Sequence, residues 1–301
     1  MDCVFFIVGP TAAGKSEIAA EIAQRLGAEI VSADAFQIYC GLDLLTAKPE
    51  AATRSKAPHH LIGAVPLSEE MNVEKFRAAA TSAIRDIHAR GKPAIVVGGS
   101  GLYVKALTHG LSKLPSADRK LREKLEQATA EELFTRLSEL DPDGAGNIDR
   151  KNKRRLVRAV EICLLSGKPF SAQRIEWKDA PSFNGVLVFR ERAELYDRIN
   201  RRVEKMFADG VVEEVRALGE VGTTAAKTLG LPEIRELLAG KISEHDCIAK
   251  IQQATRRYAK RQLTWFQRQT NFQPLNLSLH GSSEAIESIA QNVSRFAQMD
   301  D

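Results

Sequence analysis

The chain has 301 residues, 44% hydrophobic and 27% charged, enough apolar material for one large core or two smaller ones, which excludes intrinsic disorder. With 43 Lys and Arg against 39 Asp and Glu the formal charge is only +4, so no polyanionic partner follows from the total and any excess must be local. Cys3, Cys40, Cys163 and Cys247 form no C-x-x-C pair, which argues against a zinc site or a disulfide framework and fits free thiols in a cytoplasmic protein.

The apolar run CVFFIV (3–8) ends at Gly9-Pro10, and Ile18, Ala19, Ile22, Ala23 and Leu26 follow at helical spacing, so the chain opens strand, loop, helix. AEIVSAD predicts a second strand ending at Asp34. PAIVVGG predicts a third, ending at Gly98-Gly99, after a helix over 73–89. Alternating strands and helices imply an α/β fold with a parallel sheet flanked by helices and ligands outside the carboxyl ends of its strands. Asp34 and Ser100 therefore belong at the ligand edge. From Lys113 the patterns LREKLEQ, AEELFTRLSEL and RLVRAVEICLL have helical period, separated by the turn-rich DPDGAGN, and predict an all-helical insertion over 113–180. GVLVF (185–189) resumes the strands. The expected organisation is a core in two parts, 1–112 and 181–275, the second ending in a basic helix, with a peripheral tail over 276–301. The apolar stretches are too short to span a bilayer and the N-terminus lacks the charge of a signal peptide, so no membrane is expected.

Gly9-Pro10-Thr11-Ala12-Ala13-Gly14-Lys15-Ser16 fits G-x-x-x-x-G-K-[ST] after a strand and before a helix, which predicts a P-loop NTPase-like core. Backbone N–H groups and the helix N-terminus face a phosphate, Lys15 adds a point charge and the Ser16 hydroxyl is suited to Mg²⁺. The strands ending PAIVVGGSG and GVLVFRER offer no acid opposite the loop. Asp34 alone does so, as a metal ligand, as a general base or as a local cap.

The strings GPTAAGKS, DAFQIYCGLDLLTAKP (34–49), PHHLIG (58–63), VGGSGLYVKAL (97–107), RRLVRAVEI (154–162), SGKPFS (166–171) and TRRYAKRQLTWF (255–266) run in order along nearly the whole chain. Together they resemble the tRNA dimethylallyltransferases, the bacterial tRNA isopentenyltransferase family. The resemblance implies transfer of a dimethylallyl group from dimethylallyl diphosphate to N6 of the adenine following the anticodon, with the phosphate loop holding diphosphate rather than ATP. It implies Asp34 and Ser100 as catalytic groups, Arg198 and Arg202 near the diphosphate, and Mg²⁺ at Ser16. Contacts to tRNA are implied for Asp34, Ala35, Phe36, Gln37, Ser100, Arg122, Arg154, Arg155, Leu156, Val157 and Arg158, with Gln37 suited to reading an adenine edge. Ala35 stands where the family often has Ser, and Leu231-Pro232 where it usually has Gly-Tyr before a basic residue. Ser100 is also a possible helix N-cap, and Arg198 with Arg202 also fits a solvated helix face.

The positive charge is concentrated in two places. Residues 147–158 hold six basic side chains against the single acid Asp149, and Lys250–Arg268 holds six with no acid. On a helix Lys250, Arg257, Arg261 and Arg268 form one stripe, while Ile251, Tyr258 and Trp265 fall on an adjacent apolar face. Two such runs favour RNA backbone contact. At that spacing Tyr258, Trp265 and Phe266 read as core anchors rather than base-stacking platforms. Adjacent His59-His60 point apart and are read as structural. The expected partners are tRNA and dimethylallyl diphosphate, with the protein acting as a monomer. Three alternatives predict different behaviour: an enzyme prenylating free adenine nucleotides needs no RNA clamp, a small-molecule P-loop kinase consumes ATP, and a non-catalytic RNA-binding protein has no use for an intact Gly14-Lys15-Ser16 or Asp34.

Overall fold

The computed structural model of the chain describes residues 4–173 and 183–297. Cys3, the end of the predicted insertion and the last residues of the predicted tail lie outside the described residues. The chain divides into two compact units, one of Met1–Thr108 with Pro181–Asp301 and one of His109–Ala180.

In the larger unit β1 (Val4–Val8), β2 (Glu29–Ser32), β3 (His59–His60), β4 (Ala94–Gly98), β5 (Gly185–Phe189) and β6 (Gln273–Asn276) form one sheet in the order β3-β2-β4-β1-β5-β6. Every pairing is parallel, and Phe6 at the centre lies opposite Val96 on one side and Gly185 on the other. Alternate residues face opposite layers. Phe6, Val8, Val31, Val96 and Leu187 join Phe76, Tyr103 and Phe266 in one core, while Phe5, Ile7, Ile30, Ile95 and Val186 join Ile18, Ile22 and Ile289 in the other. Burial on both faces explains the unbroken apolar strands, each large side chain contributing about 1.5–3 kcal/mol.

The flanking helices start and stop on local signals. α1 (Lys15–Leu26) ends at Gly27 in the left-handed conformation. The short α2 (Ala51–Arg54) precedes β3, and α3 (Val73–Ala89) begins at Asn72, whose side chain accepts from the Lys75 amide. α4 (Gly101–Thr108) follows β4. At the opposite end of the strands from the ligand edge, buried Glu29 accepts from Arg90, Lys92 and His60, and the Arg90 hydrogen bond does most to hold its carboxyl down at about 2. His60 thus belongs to a structural ion cluster, and His59 bonds the Ala57 carbonyl.

The second unit is helical: α5 (Arg119–Gln127), α6 (Ala130–Leu140), α7 (Pro142–Gly146) and α8 (Lys153–Ser166) enclose Leu125, Leu133, Leu137, Leu156, Val157 and Val160. Two expectations change here. DPDGAGN contains the short helix α7, because Pro142 sits at its start and the Asp141 carboxylate accepts from the Gly144 amide. Leu156 and Val157, expected to touch tRNA, are at most 4% exposed, so their side chains build this core instead.

Back in the larger unit, β5 leads to α9 (Arg192–Ala208), α10 (Val211–Arg216), α11 (Leu231–Leu238) and α12 (Glu244–Gln269), whose 26 residues extend for about 39 Å. The segment from 276, expected to be peripheral, is integral. β6 pairs with β5 as an edge strand that tolerates Pro274, and α13 (Ser282–Ala297) buries Ala285, Ile289 and Val293 in the core that α1 also lines. Among the described residues no helix is long and apolar enough to cross a membrane.

Candidate active site

Four neighbouring strands deliver their carboxyl ends to one edge. β1 is followed by the phosphate loop, β2 by Asp34, β4 by Ser100 and β5 by Arg190. Backbone bonds tie the ends of β1, β4 and β2 together: Gly9 donates to Gly98, Ala33 to Val97 and Ser100 to Ala33.

The loop is fixed from outside. Arg198 Nε donates to the Ala12 carbonyl at 2.9 Å, Arg190 Nε to the Ala13 carbonyl at 3.0 Å, and Arg202 Nη2 to the Thr11 hydroxyl at 2.6 Å. Lys15 Nζ bonds the Pro10 carbonyl at 2.7 Å. Gly14, at φ 101°, caps α1 without a side chain, so the amides of the first turn are left to an external acceptor. Burial pushes the Lys15 ammonium down to about 8; Asp34 opposes this and Arg202 adds to it. Arg202, lowered chiefly by burial, has a buried Nε with no hydrogen-bond partner. Concentrated positive charge with unsatisfied donors suits a polyanion. Arg198 and Arg202, read from sequence as a pair, both reach the loop. Arg190 was missed, and its signal was its place directly after a strand aimed at the ligand edge.

Asp34 is half-buried, and its Oδ1 accepts from the amides of Phe36 at 2.9 Å and Gln37 at 3.2 Å. The capping reading of this residue therefore holds for one oxygen. Its carboxylate also acts electrostatically on Lys15, Arg202, Tyr103 and Tyr258. Ser100 Oγ accepts from the Ala35 amide at 2.9 Å. Gln37 differs from expectation: both hydrogens of its amide nitrogen are directed to the Thr46 and Ala47 carbonyls, leaving only its oxygen for a base, so bidentate adenine recognition is not available. Phe36 and Ala35 lie half-buried beside it.

α12 supplies what sequence spacing did not. Phe266 is fully buried and Trp265 packs edge-on against it, 5.2 Å between centroids, as core anchors do. Tyr258 is different. It lies within electrostatic range of Ser100 and Gln262, and burial raises its pKa, with Asp34 pushing the same way. Gln262, buried, accepts from the Thr11 amide and donates to the Gly99 carbonyl, both at 2.9 Å. The glycines of VGGSG permit this approach, since a Cβ on Gly99 would lie 2.2 Å from Gln262 Nε2 and one on Gly101 2.3 Å from the Trp265 ring. Arg257, Lys260, Arg261 and Arg268 line the exposed side of α12, whereas Lys250 pairs with Glu236.

In the helical unit Arg154 and Arg155 are exposed. Arg122 and Arg158 are not simple surface cations: both bond the fully buried Glu161, at 2.9 and 2.6 Å, and Arg158 also bonds the Pro115 carbonyl. Their first role is to neutralise that carboxylate.

The described residues contain no cluster of three or more His, Cys, Asp or Glu able to hold a metal by themselves. Ser16 in the first turn of α1 and the Asp34 carboxylate are hard oxygen donors, a sparse set that fits Mg²⁺ brought in with phosphate oxygens and water.

The IPP transferase family model matches residues 37–269, a span that begins after the phosphate loop. The chain is 44% identical to the tRNA dimethylallyltransferase of Akkermansia muciniphila, over 93% of this chain and 96% of that one. It is 45% identical to tRNA dimethylallyltransferase 1 of Citrifermentans bemidjiense, over 87% and 88%. Among solved structures it is similar to the full-length tRNA isopentenylpyrophosphate transferase of Bacillus halodurans, with a TM-score of 0.70 and 33% identity over 100% and 99% of the two chains. A eukaryotic dimethylallyltransferase acting on tRNA superposes with a TM-score of 0.82 and 27% identity, over 97% of this chain and 79% of that one.

Proposed function

The chain belongs to the IPP transferase family and acts as a tRNA dimethylallyltransferase; from that premise we propose that it joins the dimethylallyl group of dimethylallyl diphosphate to N6 of the adenine following the anticodon. The N6 lone pair attacks the allylic carbon, the carbon–oxygen bond to diphosphate breaks with its electron pair leaving on oxygen, and the N6 proton passes to Asp34. The observation that carries this reading is one strand edge holding a carboxylate, Asp34, within electrostatic reach of a half-buried Lys15 and Arg202.

Each group has a task that follows from its surroundings. The exocyclic amine is a weak nucleophile, so a base at its proton lowers the barrier. Asp34 is oriented for this by the Phe36 and Gln37 amides on one of its oxygens. The leaving group gains negative charge as the bond breaks, and the first-turn amides of α1, Lys15, Arg198 and Arg202 meet it with preset donors. When bound, Mg²⁺ held by Ser16 and diphosphate oxygens would add electrophilic stabilisation there. Ser100 holds the Ala35 amide and thereby the turn that carries Asp34. Exposed Arg154 and Arg155 in the helical unit, and Arg257, Lys260 and Arg261 on α12, offer basic surface for RNA phosphates.

The test is to incubate the protein with Mg²⁺, labelled dimethylallyl diphosphate and either unmodified tRNA or AMP. Label enters tRNA, and Asp34→Asn cuts turnover ~10²–10⁴-fold while tRNA still binds. Label in AMP alone would move the substrate to free nucleotides. Turnover by Asp34→Asn near the wild-type rate would remove Asp34 as base.

A further inference from the structure

We propose that Gln262 is a positioning residue that holds the phosphate loop in its anion-accepting shape from α12, the helix whose outer face carries Arg257, Lys260 and Arg261. The inference rests on the reading of that loop as the diphosphate site. Thr11 and Gln262 are 251 residues apart in sequence, yet the Thr11 amide donates to Gln262 Oε1 at 2.9 Å and Gln262 Nε2 donates to the Gly99 carbonyl at 2.9 Å. A donor on one side and an acceptor on the other fix the orientation of the amide. The side chain is only 6% exposed, so losing either partner leaves a buried polar group unsatisfied.

The loop needs such a hold. Ala12 sits at φ 64°, in the left-handed region that L side chains rarely adopt, and such a residue stays there only where its neighbours over-determine it. Arg198 holds the carbonyl of Ala12, and Gln262 holds the amide of the residue before it. The Thr11 amide is thereby turned away from any phosphate, leaving the α1 end of the loop to bind the anion. Gln262 alone thus touches both the phosphate loop and the loop after β4, and Tyr258 lies one turn before it on α12. Gly99 has no room for a side chain because Gln262 occupies that space, which makes the contact a close-packed one.

Two variants separate this role from general stability. Gln262→Glu keeps an acceptor for the Thr11 amide but loses the donor to Gly99 and sets a negative charge against the loop. Gln262→Met keeps the volume and removes both bonds. With magnesium and inorganic pyrophosphate as the probe, Gln262→Glu is expected to bind at least about tenfold more weakly than wild type, and Gln262→Met about tenfold more weakly, each with a parallel rise in KM for dimethylallyl diphosphate. Affinity for an anticodon stem-loop should stay within about twofold, a split that a loss of folding would not produce. Should a variant fail to fold, Gly99→Ala displaces Gln262 by contact and should give the same split. Variants that fold and bind pyrophosphate as tightly as wild type overturn the inference. Wild-type protein that does not bind pyrophosphate overturns instead the reading of the loop on which it rests.

Discussion

The hydroxyl of Ser100 accepts a hydrogen bond from the amide of Ala35 at 2.9 Å, joining the loop after β4 to the one after β2. Ala35 follows Asp34 directly, so the bond fixes the peptide next to the proposed base. Tyr258 of α12 lies within electrostatic range of the same serine. The Ser100–Ala35 bond uses the backbone amide, so it does not require the hydroxyl that Ala35 lacks.

Replacing that hydroxyl tests the arrangement. Ser100→Ala should lower kcat by about tenfold, the effect of one lost buried hydrogen bond at ~1 kcal/mol or slightly more, with little change in KM for dimethylallyl diphosphate. Ser100→Thr keeps an oxygen in place and should retain most activity. Steady-state kinetics of both variants is the check, and equal activity of Ser100→Ala and wild type would remove the link to Asp34.

Lys15 gives the pH dependence. Burial holds its ammonium down at about 8, so in the free protein it is charged below that pH and loses its proton as pH rises through it. A bound diphosphate favours the charged form and raises this value. Pyrophosphate affinity should fall as pH climbs from about 8, and binding at pH 8 should take up a proton. Calorimetry in two buffers of different ionisation enthalpy measures that uptake. Lys15→Met should abolish it.

The basic surface of the helical unit divides into two kinds of arginine. Arg154 and Arg155 are exposed, so replacing both with Ala should weaken tRNA binding and flatten the slope of log K against log salt by about 1.5, two phosphate contacts at ~0.7–0.9 each. Pyrophosphate affinity should not change. Arg158 and Arg122 instead neutralise buried Glu161, and Arg158→Ala leaves that carboxylate with one partner fewer. It should cost about 1.5–3 kcal/mol of that unit's stability, since Arg122 and the Asp118 amide still hold the carboxylate, read by hydrogen exchange over α5 and α8. A purely electrostatic loss of tRNA binding by Arg158→Ala, with exchange unchanged, would contradict this division.

Gly101→Ala tests how tightly α12 is seated. The added methyl would lie 2.3 Å from the Trp265 ring, so either the indole or the start of α4 must shift. A loss of about 1–3 kcal/mol is expected from overpacking, measured by denaturant titration, together with weaker pyrophosphate binding as Gln262 moves with its helix. The second substitution Trp265→Leu makes room for the methyl and should recover part of both.

Sequence alone determined the features that are local. The strand, glycine-rich loop and helix of 4–26 are adjacent in the chain, so motif and geometry coincide, and alternation of apolar runs with helical patterns is enough to fix a parallel sheet and place Asp34 and Ser100 at its carboxyl edge. The helical period of 119–166 likewise marks a unit of helices, because each buries its own apolar stripe. Tertiary structure decided what depends on partners far away. Arg190, Tyr258 and Gln262 meet the loops only because β5 lies beside β1 and α12 docks on Gly99 and Gly101. Arg122 and Arg158 read as unpartnered cations in the sequence, and only the fold shows Glu161 between them, since sequence gives a charge but not the charge it faces. The same holds for β6, which is too short and proline-containing to announce itself and is a strand only because β5 offers an open edge with which to pair.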